Sequence, residues 1–102
     1  MLELRPTCEH CNRSLPPASL DARICSYECT FCATCVETIL GNVCPNCGGG
    51  FVPRPVRPSR NWKGANFLGK DPASTTLKHR PVDRAVHAEF SASIRSIPPE
   101  KR

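Results

Sequence analysis

No stretch of this 102-residue chain approaches the roughly 18 apolar residues that a membrane-crossing helix needs. A membrane is therefore not expected among its partners. The opening Met1-Leu2-Glu3-Leu4-Arg5-Pro6-Thr7 also lacks the apolar run of about 7–15 residues that marks a secretory leader, because Arg5 and Pro6 interrupt it. The expected location is cytoplasmic. Aromatic residues are scarce, namely Tyr27, Trp62 and four phenylalanines. The first fifty residues hold only Tyr27 and Phe31, with Leu2, Leu4, Leu15, Leu20, Ile24, Val36, Ile39, Leu40 and Val43 as larger aliphatics. A core that small does not offset the entropy of ordering about fifty residues, so a covalent or metal staple is required. Signals of catalysis are missing too. There is no glycine-rich phosphate loop and no Ser/His/Asp constellation, and an enzyme is not expected.

One absence carries more than the others: no cysteine lies outside residues 8–47, and none within them stands alone. The eight form four close pairs, Cys8–Cys11, Cys25–Cys29, Cys32–Cys35 and Cys44–Cys47. A gap of two or three residues lets both thiolates of a pair face one centre, and two pairs close a tetrahedron around one zinc ion. Four pairs make two zinc sites, each with four cysteines. Disulfides are the main rival reading, yet a reducing compartment disfavours them. A redox role for Cys-x-x-Cys wants a strand–helix setting, whereas these pairs lie among Pro, Asn and Gly. An iron–sulfur centre is a minor alternative. His10 lies inside the first pair but reads as an exposed residue, since Cys8 and Cys11 already complete it. His79 and His87 read as solvated.

The spacing, Cys-x2-Cys-x13-Cys-x3-Cys-x2-Cys-x2-Cys-x8-Cys-x2-Cys, crowds Cys25, Cys29, Cys32 and Cys35 together. The pairs must serve two centres, either in sequence or interleaved. Tyr27 and Phe31 are the expected core aromatics. A short helix is expected over Val36–Leu40, with Val36, Ile39 and Leu40 on one face and a left-handed stop at Gly41-Asn42. The final knuckle, Cys44-Pro45-Asn46-Cys47, is followed by glycines that admit positive φ.

This pattern resembles the RING finger family, with a helix after the sixth ligand and Cys-Pro-x-Cys as the last pair. The resemblance implies a small metal-stabilised α+β fold of RING-like, treble-clef type over residues 1–52. It also implies interleaved sites, one from Cys8, Cys11, Cys32 and Cys35 and the other from Cys25, Cys29, Cys44 and Cys47. A sequential arrangement of LIM type is the alternative, although LIM modules have a longer last loop. Within that group, three blocks are similar to short bacterial proteins catalogued as domain of unknown function 1272: residues 1–8, residues 21–32 (Asp21-Ala-Arg-Ile through Thr-Phe-Cys32) and residues 44–49. The resemblance covers residues 1–58 and implies no activity. Ligase-type RING fingers carry a branched apolar residue before the second ligand and a basic residue after the last. His10 and Gly48 stand there instead, so a ubiquitin ligase is not expected, and Pro45 is explained as a turn former.

Charge is divided unevenly. Residues 1–50 carry three basic and five acidic side chains, and residues 51–102 carry eleven and four, which gives the net +5. Eight thiolates and two zinc ions would make the head more acidic still. The tail, by contrast, is basic. Pro53-Arg54-Pro55-Val56-Arg57-Pro58 reads as a proline-rich linker, and residues 53–81 as disordered. Val82, Val86, Phe90 and Ile94 recur every fourth residue, which predicts an amphipathic helix within 82–97 that docks through that stripe. Residues 98–102 read as a disordered end.

These features point to a non-catalytic adaptor for protein partners, with the tail as a docking segment. The alternative is a nucleic-acid binder, in which Arg54, Arg57, Arg60 and Lys63 contact phosphate and Trp62 stacks. A zinc or thiol sensor is a lesser possibility.

Overall fold

The computed structural model describes all of residues 1–102. Strands β1 (Ala22–Ile24) and β2 (Thr30–Cys32) form an antiparallel hairpin in which Ala22 faces Cys32 and Ile24 faces Thr30. The tight return passes through Glu28, whose φ of 66° is left-handed. Strand β3 (Val52–Pro53) pairs with the other side of β1, giving the order β2-β1-β3. Proline is tolerated there because β3 is an edge strand. Beyond β2 the chain turns at once into helix α1 (Ala33–Cys35), which widens into a π-helical turn over Val36–Leu40. Gly41 (φ 60°) and Asn42 (φ 58°) end it in the left-handed conformation, as the sequence predicts.

The core is unusual in its chemistry. Of eleven clustered buried residues, six are cysteines, and Leu15, Ala22, Phe31, Val36 and Leu40 complete it. Sulfur thus takes the place that hydrocarbon fills in larger domains. Phe31 is buried as expected, and Phe51 meets it edge-on at 5.5 Å. Tyr27 and Leu20 are not core residues, being 74% and 83% exposed. Tyr27 falls in the turn between Cys25 and Cys29, where those two side chains point inward and the residues between them point out.

Residues 53–81 contain little regular structure, but the structure lays them on the head where the sequence suggests a disordered linker. The Arg54 guanidinium donates to the carbonyls of Arg5, Leu15 and Pro16. Arg57 donates to the carbonyls of Leu2 and Asp71, and the Ser74 hydroxyl to the Glu3 carboxylate. Composition does not reveal this, because each contact depends on a backbone carbonyl or carboxylate supplied by a distant turn.

Helix α2 (Arg84–Ser91) opens with Asp83, whose Oδ1 accepts from the Val86 amide at 3.1 Å. The helix is shorter than the expected 82–97. Only part of the expected face is seated, since Val82 packs against the core and Ile94 is half-buried. His87 and Ser91 are buried, whereas Val86 and Phe90 of the apolar stripe remain 64% and 44% exposed. The reason is polar. His87 Nε2 lies 2.9 Å from the Leu40 carbonyl, at the end of the π-helical turn, and shares that oxygen with the Val43 amide at 3.2 Å. His87 is therefore buried and bonded, which corrects the expectation that it is solvated. A terminal 3-10 turn (Pro99–Lys101) follows, and Arg102 donates to the carbonyls of Asn42 and Gly48.

Candidate metal centre

Four short segments bring the cysteines together. The first and last pairs are built alike. In each, the amide four residues after the leading cysteine donates back to its carbonyl, Asn12 to Cys8 at 3.0 Å and Gly48 to Cys44 at 2.8 Å. In each, the residue after the second cysteine is left-handed, with φ of 62° at Asn12 and 77° at Gly48. The amide of the leading cysteine is also held from five residues on, by Arg13 and by Gly49. The two other pairs come from the β1–β2 turn and from the junction of β2 with α1.

Two thiol clusters result. The Sγ atoms of Cys8, Cys11, Cys32 and Cys35 all lie within 4.8 Å of one another, and so do those of Cys25, Cys44 and Cys47. The clusters interleave along the chain, since the first and third pairs make one and the second and fourth supply the other. Cys29 adjoins the second cluster without meeting that limit for all three partners, and its Sγ accepts from Asn46 Nδ2 at 3.4 Å. All eight cysteines are unbridged.

The first cluster suits a tetrahedral ion. A metal–sulfur bond of ~2.3 Å places the corners of a tetrahedron about 3.8 Å apart, and this is the zinc–thiolate length. Cys11 Sγ and Cys32 Sγ are separated by 3.8 Å. Amides support the sulfurs of the second cluster. Tyr27 N donates to Cys25 Sγ at 3.3 Å and Gly49 N to Cys47 Sγ at 3.4 Å. Such bonds favour thiolate and fix its direction.

Burial without an ion disfavours the same charge. It pushes the thiols of Cys8, Cys29, Cys35 and Cys44 above their ordinary pKa. Cys11 departs the other way. Burial raises it, but the Arg13 amide and the Cys8, Cys32 and Cys35 thiols together bring it below the ordinary value. Thiols gathered within 4.8 Å of one another, most of them buried, could hold a metal ion, whose charge would favour the thiolate that burial alone disfavours.

The family model described as protein of unknown function (DUF1272) matches residues 1–57. The chain belongs to that family. The DUF1272 match takes in both thiol clusters, all three strands and Arg54. An uncharacterized protein of Rhizobium meliloti (strain 1021) is 59% identical over 81 residues, which is 79% of this chain and 89% of that one. That stretch is longer than the family match, so the likeness runs into the tail. No solved structure matches the chain.

The histidines lie away from the sulfurs' common points. His10 Nδ1 accepts from the Val82 amide at 2.8 Å, and its carbonyl is 3.1 Å from His79 Nε2. His10 is thus a fastening point for the tail, a role without a sequence signal. The tail likewise covers Gly48, where a Cβ would stand 3.7 Å from Phe90 and Ile94. No helix is long and apolar enough to cross a membrane.

Proposed function

We propose that this chain is a zinc-binding, RING-like protein that acts without catalysis, as an adaptor for a protein partner. The interleaved thiol clusters carry the reading, because they make the metal a part of the core. In this reading Cys8, Cys11, Cys32 and Cys35 hold one zinc ion. Cys25, Cys29, Cys44 and Cys47 hold the other, Cys29 closing the shell from beside the trio. Two sites of four thiolates leave no coordination position open for water, which suits scaffolding and not hydrolysis. Exposed Tyr27, Val86 and Phe90 supply apolar anchors on the scaffold's surface. Native mass spectrometry of protein purified with zinc should give two ions per chain. One ion, or a Cys29→Ser chain that still carries two ions with unchanged affinity, would refute the second four-cysteine site.

Nucleic acid is the second reading, favoured by one local feature. The Arg60 guanidinium lies 5.9 Å from the centre of the Trp62 ring, and Trp62 is 74% exposed. Against it, Arg54 and Arg57 direct their guanidinium groups to backbone carbonyls of the head and its strap. Two of the four cations read as phosphate contacts are therefore engaged elsewhere. Arg60 and Lys63 alone would give a shallow salt dependence, with a slope of about −2 or less in log K against log salt. Fluorescence anisotropy with single-stranded RNA and DNA from low to physiological salt is expected to show binding no tighter than the non-specific range of ~10⁻⁴ M. A slope several times steeper would move nucleic acid to first place.

A further inference from the structure

Because α2 seats its His87/Ser91 face, the exposed part of the stripe, Val86 and Phe90, overhangs the last cysteine knuckle and leaves a cleft of about 380 Å³. Pro45, Val82, Val86 and Phe90 form its apolar sides. Two buried acceptors also line it, and neither is fully partnered. Glu9 is 4% exposed, yet its bonds from Arg5 and from the Thr30 amide both fall on Oε2, and Oε1 receives none. His87 is 3% exposed. The Leu40 carbonyl can only accept, so Nε2 carries the proton that it donates there, and Nδ1 is an acceptor with no partner. A buried acceptor without a donor, as Nδ1 is, is costly and uncommon, whereas Glu9 Oε1 keeps contact with solvent and offers a reachable carboxylate oxygen.

Asp83 adds negative charge at the mouth, while Arg80 is the one cation lining the cleft and is exposed to solvent. We propose that this cleft binds a primary ammonium group on a short apolar stem, either the side chain of a lysine in a peptide or a free alkylamine. The ammonium donates to Glu9 Oε1 and His87 Nδ1, and the methylenes lie against Val82, Val86 and Phe90. Nδ1 is closed off from solvent, and the Phe90 ring packs on the imidazole at 6.1 Å between centroids. The ligand reaches Nδ1 when that part-exposed ring turns. Volume and lining suit a small amphipathic group.

This site names what the adaptor grips, but it uses no metal ligand. A chain that loads its metal and ignores amines would overturn the cleft and leave the metal reading standing. The test is an NMR titration of the full, metal-loaded chain, following the His87 ring nitrogens and the Val86 methyls. Saturable shifts with n-butylammonium are expected, at an affinity at least about tenfold above that of 1-butanol, and none with butyrate. Val86→Arg, at an exposed position, puts a fixed cation over the mouth and should abolish the shifts at His87. Glu9→Gln should erase the preference for ammonium over alcohol. Because Glu9 also holds Arg5 and Thr30, Val86→Arg decides if that variant does not fold. Tighter binding of acetyl-Ala-Lys-Ala-amide than of n-butylammonium assigns the site to peptides, and equal binding assigns it to free amines. No shift at His87 or Val86, equal affinity for alcohol and ammonium, or undiminished binding by Val86→Arg would each overturn the proposal.

Discussion

Stripping the protein with a strong chelator at neutral pH is expected to unfold residues 1–52, with loss of amide proton dispersion and of the near-ultraviolet signal from the packed Phe31 and Phe51 rings. The core is the reason. Six of its eleven residues are cysteines, and the hydrocarbon that remains is Leu15, Ala22, Phe31, Val36 and Leu40. Small structural zinc sites contribute about 10–16 kcal/mol in peptides. That is as large as the whole stability of an ordinary domain, about 5–15 kcal/mol. Cys32→Ser should reproduce the loss even with zinc in excess, because Cys32 is at once a cluster member, the end of β2 and the residue that opens α1. A chelated chain that keeps its dispersed spectrum would show that packing alone holds the fold, and the metal would then be a passenger.

The second large effect lies in the tail. Arg54→Met is expected to destabilise the metal-loaded protein by about 3 kcal/mol, read as a shift of the denaturant midpoint at unchanged slope. The variant keeps the apolar stem but leaves the carbonyls of Arg5, Leu15 and Pro16 without their donor. Arg54 is 4% exposed, and burial pulls its pKa down with no carboxylate opposing the shift. A guanidinium in that position acts as a pin between the first knuckle, the proline loop and β3. Arg54→Lys should recover little, because one ammonium cannot span three carbonyls placed for a planar fork. A change below about 0.5 kcal/mol for Arg54→Met would mean that the loop and the strand hold their places without it.

Legibility in the sequence follows the reach of the interactions. The knuckles and the helical stop at Gly41-Asn42 are local, and residue order reveals them. The pairing of distant cysteines is legible only as two alternatives, because spacing fixes which thiols are neighbours and not which pair crosses to which. Interactions between remote backbone groups were invisible. Arg54 and His87 look like ordinary tail residues until the carbonyls they serve, at Arg5, Leu15, Pro16 and Leu40, are known. The apolar stripe misleads only in part, since Val82 packs on the core whereas Val86 and Phe90 stay exposed. Periodicity finds the apolar face of α2, but the docked orientation buries His87 against the Leu40 carbonyl and leaves Val86 and Phe90 in solvent. Tyr27 misleads locally, since a ligand pair three residues apart turns its intervening side chains outward.

The interleaving of the clusters has a consequence for damage. Cys8 and Cys11 stand before the loop 12–21, and their companions Cys32 and Cys35 stand after it. A hydrolysed peptide bond in that loop, beside the exposed Arg13 for instance, severs the chain but not the object. The two pieces would stay joined through an ion shared by the first cluster and through the grip of Arg54 on the Arg5 carbonyl. No contiguous fragment, however, contains the first cluster without Cys25 and Cys29, so neither centre can be inherited, excised or transplanted alone. A metal-loaded head would then be expected to survive a cut in that loop better than the loss of a single sulfur.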